Sequence, residues 1–206
     1  MSSDLQRLPA IALTGRVLGA LYYQPPGSPE CAELIAMLAS PEWVTEWPIQ
    51  SAELPDIARL MASGLADEGL DAEYQRLFIG PYALPAPPWG SVYLDKENVL
   101  FGDSMLALRQ WMREHGFVQE TEQNEPEDHF GTLLMLAAWL ADEEQSQRLD
   151  ELLAWHLLPW SERFLSLFTD HAANDFYRGL GQLAQITLAG WRRGMLTPVA
   201  QKELFF

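Results

Sequence analysis

The chain has 206 residues, 48% of them apolar, and its 13 Lys and Arg against 29 Asp and Glu give a formal charge of -16. That length suits one sizeable core, and the apolar content excludes a mostly disordered chain. The charge disfavours nucleic acid, whose phosphates need clustered Lys and Arg, and an anionic membrane would repel it.

The first apolar pattern predicts a helix from about Pro9 to Tyr23, with Ile11, Gly15, Leu18 and Tyr22 on one face and Gln24-Pro25-Pro26-Gly27 as its stop. An acid ahead of the apolar part and Arg16 within it fit neither a secretory signal nor a membrane span. Gly15 and Gly19 are spaced for close helix packing. Ser28 is placed to cap a helix opening at Pro29 and running through Leu34, Ile35 and Leu38. Cys31, the single cysteine, cannot form an internal disulfide, which suits a reducing compartment such as the cytoplasm.

The stretch PEWVTEWP reads as a connector, followed by a helix from about Leu54 to Leu65. In GLDAEYQRLFIG, Leu70, Tyr74, Leu77 and Phe78 recur at helical spacing and Gly80 is placed to end the helix. Four prolines between Pro81 and Pro88 then predict a segment, about 80–102, without regular structure. It carries Tyr82, Trp89, Tyr93 and Phe101, so it should pack on the body or line a groove. Asp103 is placed to cap a helix through Leu106, Leu108, Trp111 and Met112, closed by Gly116, with a polar connector from Glu120 to Gln123.

Helices are further predicted over Glu127 to Ala141, Ser146 to Leu158 stopped by Pro159, Trp160 to Phe168, and Asn174 to Trp191. No repeat of fixed period is present. The expected fold is one all-α domain over residues 1–206, with N- and C-terminal helix groups joined by the proline-rich segment.

Residues 124–131 read NEPEDHFG, with three carboxylates and an imidazole ahead of a strongly apolar run. In a helix starting near Asn124, Glu125, Asp128 and His129 would share a face. Two turns of one helix supply too few ligands for a metal, and no His-Glu-x-x-His pattern is present. Asn124 and Glu127 instead suit a capping box, with acids against the positive helix end. His129 is open between a buried, hydrogen-bonded histidine and one that contacts a ligand. No nucleophile elbow, phosphate loop or dinucleotide fingerprint occurs.

The helix end at Tyr74, Leu77 and Phe78, the LPAPPWGS segment from Leu84 to Ser91, and Glu125-Pro126-x-Asp128-His129 together resemble the TorD/DmsD family of redox-enzyme maturation chaperones. The likeness covers essentially the whole chain. It implies an all-α cytoplasmic chaperone, not an enzyme, with no cofactor and a monomer favoured. The implied partner is the twin-arginine leader of a molybdenum-containing reductase, the dimethyl sulfoxide reductase catalytic subunit (DmsA-like) foremost. Transient contact with the twin-arginine translocase at the inner membrane is implied as well.

Carried onto this chain, the resemblance assigns Tyr74, Leu77, Phe78, Pro87, Trp89, Ser91, Glu125, Asp128 and His129 to forming or shaping the leader groove. A leader with a cationic part before an apolar stretch needs carboxylates beside aromatic and aliphatic surface. Leu77, Phe78 and Trp89 are then expected to supply most of the affinity, and Glu125 and Asp128 to orient the arginines. Two other readings are an enzyme using Asp128 and His129 for acid/base or metal chemistry, and an adaptor for some other amphipathic peptide. Neighbouring helical residues point about 100° apart, which makes a direct Asp128-to-His129 relay poor.

Overall fold

Local chemistry sets where each helix begins and ends. The computed structural model describes residues 4–97, 100, 102–117 and 125–206; Phe101, the connector from Glu120 to Gln123 and the proposed cap Asn124 lie outside them. Helix α1 (Asp4–Tyr23) begins before Pro9, and α2 (Ala32–Leu38) opens later than Pro29. Ser28 holds the Cys31 amide through both its carbonyl, at 3.1 Å, and its hydroxyl, at 3.3 Å, which makes a turn there instead of a cap. The expected connector contains a 3₁₀ turn, Pro41–Thr45, that buries Trp43.

Helix α3 (Leu54–Leu65) has its expected bounds and buries Leu54, Ile57, Ala58 and Met61. Helix α4 (Leu70–Tyr74) widens into a π turn over Gln75–Ile79, closed when the Gly80 amide reaches the Gln75 carbonyl at 2.9 Å. Gly80 has φ 109°, which glycine adopts at little cost. The proline-rich segment corrects one expectation, because α5 (Gly90–Leu94) forms once the prolines stop at Pro88. Helix α6 (Asp103–Glu114) has Asp103 inside its first turn, where the acid faces the helix dipole, with Gly102 as the capping residue.

Helix α7 (Phe130–Asp142) is followed by α8 (Ser146–Leu152), a second π turn over Leu153–Leu157, α9 (Leu158–His171) and α10 (Asp175–Arg192). Pro159 does not stop a helix. It sits in the first turn of α9, where a missing amide proton costs no intrahelical bond. Asn174 caps α10 by accepting from the Phe176 amide at 2.8 Å, and its own amide donates to the Gly64 carbonyl at 3.1 Å. Among the described residues there is no strand, only an isolated antiparallel bridge between Trp89 and His129.

The N-terminal helices pack on the C-terminal ones, so the two groups share one core: α1 lies along α7, and α3 along α10. Close approach depends on Gly19 and Gly131, since a Cβ on Gly131 would stand 2.9 Å from the Gly19 carbonyl oxygen. Tyr22, Phe78, Phe130, Phe164 and Phe168 form an aromatic centre, with Tyr22 and Phe130 rings 4.8 Å apart. Tyr93 of α5 stacks on Trp160 of α9 at 5.4 Å, which fixes the end of the proline-rich arm against the body.

Candidate functional site

Two helix N-termini meet at the Trp89–His129 bridge, and each leaves amides that its own helix cannot satisfy. Across the bridge these are satisfied reciprocally. The Asp128 carbonyl accepts from Gly90, at 3.2 Å, and its carboxylate Oδ2 accepts from the Ser91 amide, at 2.6 Å, so Asp128 caps α5. In return the Pro88 carbonyl accepts from the first amide of α7, Phe130, at 2.7 Å. His129 completes the start of α7, its Nδ1 accepting from Gly131 at 3.1 Å.

This geometry corrects the expected helix start near Asn124. Residues 125–128 lie ahead of α7, so they make no capping box and share no helix face. Glu127, expected at the third helical position, instead pairs with Arg109 through two bonds of 2.8 Å each. Arg109 lowers the Glu127 pKa against the opposing pull of burial. Glu125 reaches the Trp89 indole, whose Nε1 donates to Oε1 at 2.5 Å.

Charge and protonation at the bridge follow from burial. His129 is 6% exposed, and burial lowers its pKa to about 3. With Nδ1 accepting from Gly131, its proton is on Nε2 and the ring is neutral. Burial raises the Asp128 pKa, opposed by the hydrogen bond from the Ser91 amide. Its second oxygen, Oδ1, is buried without a hydrogen-bond partner. Asp128 and His129 each bond to a different backbone amide, so they are not arranged as an acid/base pair. Among the described residues no group of three His, Cys, Asp or Glu side chains is placed to hold a metal.

The expected site residues divide by exposure. Trp89 and Pro87 are half-buried, as is Glu125, whereas Leu77 and Ser91 are fully buried and Tyr74 and Phe78 nearly so. Leu77 and Phe78, expected to form or shape the groove and to supply affinity, are buried in this structure. Both lie on the π turn and face the core, where the Phe78 ring meets Phe168 at 5.6 Å and Tyr177 at 6.0 Å. Tyr74 joins the bridge indirectly, its hydroxyl donating to the Tyr23 carbonyl at 3.2 Å, and burial raises its pKa to about 12.

Tyr23 was not singled out from sequence. It is half-buried, its ring stands edge-on to His129 at 5.2 Å, and burial and then Glu125 raise its pKa. Its place at the end of a predicted helix gave no sign of the contact, because His129 is distant in the chain.

A family model described as nitrate reductase delta subunit matches residues 50–166. The Tat proofreading chaperone DmsD of Salmonella typhimurium is 55% identical over 205 residues, spanning 100% of both chains. The chain belongs to the TorD/DmsD family of redox-enzyme maturation chaperones. A probable Tat proofreading chaperone DmsD of Haemophilus influenzae is 41% identical over 194 residues, 93% of each chain. The chaperone protein YcdY of Escherichia coli is 33% identical over 174 residues, 82% of this chain and 87% of the relative. The TorD/DmsD family is one of chaperones rather than enzymes, and this member serves redox-enzyme maturation. Among the described residues no helix is long and apolar enough to cross a membrane.

Proposed function

We propose that the Trp89–His129 face binds the twin-arginine leader of a reductase precursor in the cytoplasm and retains the precursor until its cofactor is loaded. The observation that carries this reading is the joint placement of a carboxylate, Glu125, and a half-exposed indole, Trp89, at the head of α7. A carboxylate accepts about four hydrogen bonds, so the bond from Trp89 leaves capacity for an arginine guanidinium. Arginine also stacks on indole faces, and Lys would match neither contact as well.

In this reading Asp128, His129 and Ser91 hold the arm that carries Trp89, and Leu77, Phe78 and Tyr74 support it from below. Pro87 stiffens the approach by fixing its own φ. The client favoured by the names of the relatives and by the resemblance is a DmsA-like dimethyl sulfoxide reductase catalytic subunit, with translocase contact following release of the leader. The acidic surface speeds encounter with a cationic leader, an effect that salt weakens.

Affinity purification of the chain from cells, with mass spectrometry of bound proteins, tests the client. Recovery of a molybdenum-containing reductase precursor that still carries its twin-arginine leader is expected. Recovery of the reductase only in its leaderless form would contradict the proposal.

A further inference from the structure

A trough of about 480 Å³ runs between α6 and α7, lined by Met112, Phe117, Thr132, Met135, Leu136 and Trp139, and none of its lining side chains is charged. At one end, a turn before Met112 on α6, Arg109 holds Glu127 two residues from Glu125. At the other end the Phe117 ring meets Trp139 edge-on at 5.3 Å. Trp139 is 43% exposed on a helix that is otherwise mostly buried. From Thr132 to Trp139 the trough side of α7 extends about 10 Å at a rise of about 1.5 Å per residue.

We infer that this trough takes the apolar stretch of the leader, while its arginines lie at Glu125 and Trp89. The inference rests on the leader-binding reading and adds the direction in which the peptide runs. The placement of the arginines gives that direction: from Glu125 and Trp89 at the head of α7 an uncharged surface follows along the helix, as the apolar part follows the cations in the peptide, although Asp142, Glu143 and Glu144 stand beyond Trp139 at the far end. A span of about 10 Å accommodates about seven helical residues. Met112 and Met135 suit such an occupant, since unbranched methionine side chains repack around apolar sequences that differ in detail.

The test uses the full chain and two synthetic leaders, one with a benzophenone amino acid in the apolar stretch and one with it beside the arginines. Light-induced adducts from the first are expected on Met112, Met135 or Leu136, and adducts from the second around Trp89 and Glu125. If the second probe marks Trp89 while the first marks another surface, such as the α9–α10 groove at Leu158 and Leu165, the trough assignment is overturned and leader binding stands. If neither probe gives saturable adducts, leader binding itself fails, and this inference with it.

A second measurement uses Trp139→Glu, placed at an exposed position. It should weaken the complete leader roughly tenfold, while a peptide cut after its arginines binds as to wild type. Equal weakening of both peptides would overturn the inference, as would loss of a self-associated form in sedimentation with leader affinity unchanged, which would assign the trough to a second copy of the chain.

Discussion

Asp128→Ala is expected to lower stability by about 2–3 kcal/mol and to weaken leader binding at least roughly tenfold, whereas Asp128→Asn changes both little. The reason lies in what Asp128 bonds. Its Oδ2 accepts from the Ser91 amide at 2.6 Å, in a site where Asp128 is only 4% exposed. Alanine leaves that amide buried and unpaired and frees the start of α5, and with it the arm that carries Trp89.

Asparagine keeps the acceptor and removes the carboxylate charge that burial opposes. The Ser91 hydroxyl, which lacks a hydrogen-bond partner, is available to the new amide. Urea unfolding and peptide titration of both variants separate holding from contact. If asparagine loses as much leader affinity as alanine while staying folded, the Asp128 charge meets the leader's arginines directly and the holding role is wrong.

Unfolding free energy is expected to fall as the medium is acidified from pH 6.5 to 5, by up to about 2 kcal/mol through His129 and by nearly as much through His156. Burial lowers the His129 pKa to about 3, and burial, followed by Lys202, lowers that of His156 to about 4. Between those values and the ordinary histidine value near 6.5, the unfolded chain binds protons that the native one does not. Stability is thus fully present above that range and is lost as pH falls through it.

The shifted carboxyl groups act separately. The depressed Glu127 and Glu73 add losses only below the ordinary glutamate range, and the raised Asp128 acts in the opposite sense, favouring the native state as the medium is acidified. His129→Asn retains an acceptor for the Gly131 amide and should reduce the slope by about half. Denaturant titrations across pH measure it, and an unchanged slope would mean that His129 is not buried in its neutral form.

Several helices were legible in the sequence: α3 has its expected bounds, α10 lies within one residue of its expected ends, and α1 ends at Tyr23 as expected. The head of α7 was misread for a physical reason. Asn-Glu-Pro-Glu looks like a first helical turn, but the first amide of α7 is satisfied by Pro88, a partner that local spacing cannot reveal. The π turn after α4 was likewise hidden, because the apolar pattern of Leu77 and Phe78 reads the same for an ordinary helical turn.

The aromatic and acidic character of the site could be read from Trp89 and Glu125, whereas their pairing required the fold. FGTLLMLAAWLAD is apolar around nearly its whole circumference, more than the packing of α7 against α1 and α8 requires, and the surplus is the trough that ends at Trp139.

Calorimetric titration of a synthetic twin-arginine leader into wild type, Trp89→Ala and Glu125→Gln, each first shown to be folded, tests the central claim most directly. Wild type should bind with a Kd near or below the micromolar level, a net of roughly 8 kcal/mol, and each substitution should weaken binding at least about tenfold. Replacing both arginines of the peptide by lysine should cost wild type a similar factor and the Glu125→Gln variant much less. Wild-type affinity in both folded variants would contradict the placement of the leader on this face.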